Sequence, residues 1–96
     1  MKKLVINSEN RQFLYEAILK LENLEECEAF FEDLCTVQEL ESISQRFTVA
    51  KMLTDKKVYS EIVAETGAST ATISRVNRSL TYGADGYEMV FGRMGK

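Results

Sequence analysis

The stretch KVYSEIVAETGASTATISRVNRSL, residues 57–80, contains two short helical segments joined at a glycine. Gly67 stands where the first helix has to stop, because glycine adopts the left-handed conformation without a steric penalty from a Cβ atom. Ser69 follows as a natural N-cap for the second helix, since its hydroxyl can accept a hydrogen bond from an amide of the first turn. We therefore predict a helix-turn-helix over residues 58–81.

The apolar residues of this stretch are spaced for a small core beneath two crossing helices. Counted from Tyr59, they fall at the fourth, tenth, fifteenth and eighteenth places, with the glycine at the ninth. These four residues are Ile62, Ala68, Ile73 and Val76. The fifth place, where a small residue is usual, holds Val63 and departs from the pattern.

The second helix carries a polar face of short side chains and arginines. Short hydroxyls and an alanine allow a helix to approach base edges closely, and arginine reaches phosphate or guanine. An alternative stays open, because two packed core helices with a solvated polar face would show much of the same pattern. The face consists of Thr70, Ala71, Thr72, Ser74, Arg75 and Arg78.

The charge of the chain is divided between its halves. The 96 residues carry a net charge of −3, with four basic and ten acidic side chains in residues 1–43 and eight basic and five acidic in residues 44–96. The second half is therefore positive, and a local basic patch is enough to neutralise phosphates. A chain of this length allows one modest core, which small proteins often complete by forming oligomers.

Composition predicts a cytoplasmic protein that is not an enzyme and needs no cofactor or metal. The chain has no histidine, no zinc-site spacing of cysteines and no phosphate-binding glycine loop. Cys27 and Cys35 lie eight apart in one predicted helix, so free thiols are expected, as suits a reducing cytoplasm. No apolar stretch approaches the roughly 18 residues of a membrane span, and MKKLVI is too short for a signal peptide.

Capping signals place the remaining helices of a single all-α domain over residues 1–96. Ser8 begins a helix running to about Leu21, and Asn23 with Glu26 begins a second. Thr36 with Glu39 begins a third, which runs to about Thr54. Asp85 with Glu88 begins a last short helix over residues 86–92. Six helices and no strand pattern result.

Two blocks of sequence, CTVQELESISQRFTVAKML (residues 35–53) and GASTATISRVNRSL (residues 67–80), resemble the Trp-repressor family and within it the YerC/YecD group. The resemblance implies an intertwined homodimer of six-helix subunits, in which the first helices of both subunits, residues 8–54, are the dimerisation helices and share one core. On that basis Phe30, Phe31 and Phe47 are expected to be buried in the dimer.

The same resemblance implies a sequence-specific regulator of transcription, most simply a repressor, that binds double-stranded DNA. Thr70, Ala71 and Ser74 would face base edges, while Thr72 and Arg75 would lie near phosphates. The alternative is a protein-interaction module that keeps the helix-turn-helix scaffold without binding DNA. The full predicted DNA-binding set is Lys56, Lys57, Ser69, Thr70, Ala71, Thr72, Ser74, Arg75 and Arg78.

The resemblance also allows a prediction of whether the protein binds tryptophan. Thr36, Arg46 and Arg75 match positions that form the tryptophan pocket of Trp repressor, but the glycine that follows the second arginine there is Val76 here. The two methyl groups of the valine would occupy the space that the indole ring needs. We therefore predict a vestigial pocket, no binding of tryptophan, and a DNA affinity independent of tryptophan.

Overall fold

A computed structural model describes residues 8–95, which contain six α-helices and no strand. The all-α fold class is therefore confirmed. The helices are α1 (Ser8–Ile18), α2 (Leu24–Leu34), α3 (Val37–Thr54), α4 (Tyr59–Thr66), α5 (Thr70–Tyr82) and α6 (Gly86–Met94).

The described part of the chain divides into two compact units, one that ends at Thr36 and one that begins at Val37. The first contains α1 and α2, and the second contains α3 to α6 and thus the helix-turn-helix. The assignment of residues 1–96 to a single domain stays a prediction.

In the first unit, α2 begins with the predicted cap. The Asn23 side-chain oxygen accepts a hydrogen bond from the Glu26 amide at 2.9 Å. The Glu26 carboxylate in turn accepts from the Glu22 amide at 2.9 Å, one residue further back than a capping box requires. The α1 helix ends at Ile18, before the predicted Leu21, because the backbone tightens into a turn in which the Leu21 amide donates to Ile18.

The first unit has no buried side chain in either of its helices. Phe13 is 75% exposed, and Leu19 and Leu24 are each 81% exposed. Phe30 and Phe31 contact one another edge to face, with ring centroids 5.3 Å apart, and both are half-buried. The apolar side chains of these two helices are thus not fully buried within the chain.

In the second unit, α3 packs against α4 and α5 over a continuous apolar core. The α3 helix contributes Val49, Ala50 and Met52, and the first two are fully buried. It spans Val37–Thr54 without interruption, as predicted, and Thr36 directly precedes its first residue. The core residues are Val49, Ala50, Met52, Ile62, Ala68, Ile73, Val76 and Phe91.

The α6 helix joins this core through aromatic contacts with α3. The Phe47 ring of α3 lies 5.0 Å from the Phe91 ring and 6.2 Å from the Tyr87 ring of α6, centroid to centroid. The Lys51 ammonium lies 5.7 Å from the Phe91 centroid, a cation–π distance.

Two details of α6 correct the sequence prediction. Asp85 does not form the predicted capping box with Glu88, because its backbone is left-handed, with φ of 64°, and its side chain makes no cap hydrogen bond. A capping box requires an extended residue at this place. The helix begins at Gly86, as predicted, but runs past Gly92 to Met94, where Gly95 supplies the left-handed C-cap.

Candidate nucleic-acid interface

The α4 and α5 helices are joined by a three-residue turn in which each residue has the predicted task. Gly67 is left-handed, with φ of 72°, and its amide donates to the Val63 carbonyl. Ala68 is buried beneath the turn. Ser69 is extended and its hydroxyl accepts a hydrogen bond from the Thr72 amide at 3.1 Å, so the serine is the N-cap of α5.

The apolar spacing read from the sequence is confirmed at all four places. Ile62 and Ile73 are fully buried, and Ala68 and Val76 are 2% and 3% exposed. Val63, the residue that departs from the pattern, is 37% exposed. Its larger side chain is therefore not confined between the two helices, and the motif tolerates it.

The exposed face of α5 carries short side chains and arginines and no acidic residue. Thr72 differs from its neighbours because it is half-buried and its hydroxyl lies 3.1 Å from the Ser69 hydroxyl. The Ser69 and Thr72 hydroxyls thus hydrogen-bond to each other within the cap. The exposed members of the face are Thr70, Ala71, Ser74, Arg75 and Arg78.

The approach from α3 to α4 adds two lysines, one of which is paired. Lys56 is exposed and left-handed, with φ of 68°. The Lys57 ammonium lies 3.8 Å from the Glu61 carboxylate, and both side chains are close to half exposed. Glu65 is a second exposed acid on α4. The positive charge of this surface therefore comes from α5 and the lysines rather than from α4.

The residues of the predicted vestigial pocket differ in burial. Arg46 and Arg75 are exposed, whereas Val76 lies in the core beneath α5. Thr36 ends the first unit, and the other three belong to the second.

Gln45 is a residue of this region that we did not predict. Its side-chain amide donates a hydrogen bond to the backbone carbonyl of Thr66, the last residue of α4, at 3.0 Å. A signal was present in the sequence, because Gln45 lies four residues before Val49 and seven before Met52 and so shares their helical face. A polar residue on a buried face requires a partner.

Neither a metal site nor a membrane span is found in the part of the chain that the structure describes. No group of three or more cysteine or acidic side chains in residues 8–95 is arranged to hold a metal ion. Of the helices in these residues, none has the length and apolarity that crossing a bilayer requires.

A left-handed glycine, a four-residue core and a capped second helix without acids define a helix-turn-helix of the class found in DNA-binding regulators. The model of the family "Trp repressor protein" matches residues 9–95. The chain belongs to the Trp repressor family, whose members are helix-turn-helix DNA-binding proteins rather than enzymes.

Similar proteins include one relative of uncharacterized function and two solved structures. The YerC protein of Bacillus subtilis (strain 168) is 56% identical over 81 residues, which are 84% of this chain and 78% of that protein. A crystal structure of a candidate Trp repressor from Staphylococcus aureus superposes with a TM-score of 0.88 at 55% identity, covering 91% of this chain and 87% of that one. A TrpR-like protein from Eubacterium eligens ATCC 27750 gives a TM-score of 0.88 at 57% identity, with coverage of 91% and 90%.

Proposed function

We propose that this protein is a sequence-specific regulator of transcription that binds double-stranded DNA as a homodimer, most simply as a repressor. The observation that carries the proposal is the exposed face of α5, which combines short side chains, two arginines and no acid above a buried apolar face. Short side chains permit close approach to base edges, and the arginines supply the charge that phosphates attract. We call α5 the recognition helix.

Each residue of the face has a proposed task. Thr70, Ala71 and Ser74 face base edges from the first turns of the recognition helix, where a helix enters the major groove. Arg75 lies near phosphate, and Arg78, Lys56 and Lys57 are further backbone contacts. Ser69 and Thr72 stand at the N-terminus of the helix, which favours a phosphate through its free amides and its dipole.

The homodimer is proposed because α1 and α2 cannot bury their apolar side chains within the chain. Phe13, Leu19 and Leu24 are each at least three-quarters exposed, and no residue of either helix is buried. A second copy would cover these side chains and Phe47, which is 37% exposed. Two-fold symmetry would set the two recognition helices about 34 Å apart, one turn of DNA.

Tryptophan is not the proposed effector. Val76 is 3% exposed and packs in the core. A valine that fills its own place in the core leaves no room beside Arg75 for an indole ring. The free thiols Cys27 and Cys35 fit a protein that works in the cytoplasm.

The decisive experiment selects genomic fragments with the purified protein at stated salt and then measures the affinity of the enriched duplex. We expect enrichment of a two-fold symmetric site. Arg75→Ala should weaken binding to every duplex and lower the slope of log K against log salt by about 1.8, since it removes one phosphate contact from each of the two subunits. Arg93→Ala, which removes an exposed arginine from the last turn of α6, is the matched control and should leave the slope unchanged.

A second candidate function, a protein-interaction module, is favoured by the acids of α4. Glu61 pairs with Lys57, and Glu65 is exposed, so both oppose a phosphate backbone near this helix. Absence of duplex binding in low salt, with the fold intact, would support this function in place of DNA binding.

A further inference from the structure

Thr66, at the junction of α4 with the turn, takes part in three hydrogen bonds. Its hydroxyl donates to the Ile62 carbonyl at 2.7 Å and accepts from the Ala68 amide at 3.1 Å. Its own carbonyl belongs to the last turn of α4, where carbonyls have no partner within the helix. That carbonyl accepts the hydrogen bond from the Gln45 side chain at 3.0 Å.

The bond from Gln45 differs in range from the other side-chain hydrogen bonds of the motif. Within the described residues 58–82, those bonds join residues at most four apart, as in Thr66 with Ile62 and Ser69 with Thr72. Gln45 is 21 residues from Thr66 and stands on another helix. It therefore connects the C-terminal end of α4, next to the turn, to α3.

We propose that Gln45 is a positioning residue, which sets the register of the α4–α5 turn on α3 and thereby the orientation of the recognition helix toward DNA. This inference rests on the proposed function. The apolar core holds α5 against α3, but burial of apolar surface is not directional. A hydrogen bond is directional, so the amide of Gln45 selects one arrangement among those that the core allows.

The groove around the Gln45–Thr66 hydrogen bond indicates that the bond orders the turn and is not needed for the core to fold. Gln45 and Thr66 line an open groove of about 440 Å³ between α3 and α4, together with Leu40, Ser44 and Glu65 among others. Water can reach this groove, so the Thr66 carbonyl finds a new partner when the amide is removed. Loss of the amide therefore frees the turn while the core stays folded.

The test compares three variants by amide hydrogen exchange and by DNA binding. Gln45→Met keeps the length of the side chain and removes the donor, and Gln45→Arg restores a donor. Gln38→Met, at an exposed position in the first turn of α3, is the matched control. In Gln45→Met we expect the hydrogen-bonded amides of Gly67 and Ala68 to exchange about fivefold faster, as for the loss of one net hydrogen bond. The amides of Val49 and Ala50 should keep their rates, and Gln45→Arg should return the turn toward wild-type exchange.

Binding provides the second measurement. The ratio of affinities for the selected and a scrambled duplex should fall about fivefold in Gln45→Met with an unchanged salt slope, because no phosphate contact is lost. Unchanged exchange at the turn, an equal effect in Gln38→Met, or no recovery in Gln45→Arg would each overturn the inference. If the wild type prefers no duplex, the proposed function fails, and the exchange rates alone decide whether Gln45 holds the turn.

Discussion

Lys56 ends α3 in a conformation that lysine rarely adopts. Its φ is 68°, its amide donates to Leu53, and the Lys57 amide donates to Met52. This is the Schellman pattern, in which glycine is the usual left-handed residue. The fold holds Lys56 in a backbone conformation that lysine disfavours. A contact of its charge with DNA would explain why a lysine, and not a glycine, stands at this position.

We predict that Lys56→Gly makes the protein more stable and binding weaker. Glycine removes a left-handed penalty of about 1 kcal/mol, so the free energy of unfolding in urea should rise by that amount. The same variant should bind duplex DNA less tightly and with a smaller salt slope. Lys57→Gly is the control: Lys57 is not left-handed, and the substitution removes only an exposed ion pair with Glu61, so stability should not rise. Lower stability of Lys56→Gly would contradict the argument.

Val76 leads to a prediction about ligands. Because its side chain is buried in the core beside Arg75, we expect no saturable heat when L-tryptophan is titrated into the protein in a calorimeter. DNA affinity should be equal with and without the amino acid. Saturable binding at micromolar tryptophan, accompanied by tighter DNA binding, would show that the valine leaves the pocket open.

Among the elements, the α4–α5 turn and the end of α6 contain glycines in opposite conformations. Gly67 is left-handed, whereas Gly92 is within a helix, and a Cβ atom built on either would meet nothing within 4 Å. The effect of an added methyl group therefore depends on the backbone alone. At Gly67 the methyl group opposes the native conformation, and at Gly92 it favours it.

We predict opposite signs for these two alanine variants. Gly67→Ala should lower the free energy of unfolding by about 1 kcal/mol, from the left-handed penalty. Gly92→Ala should raise it by roughly 0.5–1 kcal/mol, from helix propensity. Urea denaturation of both variants is the measurement. Equal signs would mean that an unseen contact at one glycine outweighs its backbone conformation.

The sequence correctly predicted those helix caps and turns that depend on residues close together along the chain. The Asn23 and Ser69 caps and the Gly67 turn depend on residues at most a few places apart, and all are present. The capping pattern at Asp85 failed because its backbone is left-handed, which residue types alone do not reveal. Gln45 was missed because its partner is 21 residues away and approaches only when α4 packs on α3.

The whole molecule has an uneven distribution of burial between its two units. The second unit contains the entire buried core of the described residues, whereas α1 and α2 contain no buried residue. The DNA-contacting roles proposed for the helix-turn-helix and the homodimer proposed for the N-terminal helices stay predictions. The sequence indicated which side chains are apolar, but not whether the same chain or a second copy covers them.

We predict a dimer of about twice 10.9 kDa by light scattering, with a Tm that rises with protein concentration. Leu24→Glu should shift the mass toward the monomer, because Leu24 is 81% exposed in the single chain and a charge there opposes burial by a partner. Glutamate in the first turn of α2 suits the helix itself, so local unfolding is not expected. Val58→Glu, at an exposed apolar residue beside the helix-turn-helix, should leave the mass unchanged. A stable wild-type monomer would contradict the proposed assembly.

Because α1 and α2 contain no buried residue, their dependence on a second copy would have a consequence for gene control. If α1 and α2 become ordered only on meeting a second copy, the amount of competent protein grows with the square of its concentration while most copies are single. Occupancy of an operator would then respond to a change in expression more steeply than simple binding allows. A modest change in copy number could thus switch the target gene without any small-molecule signal.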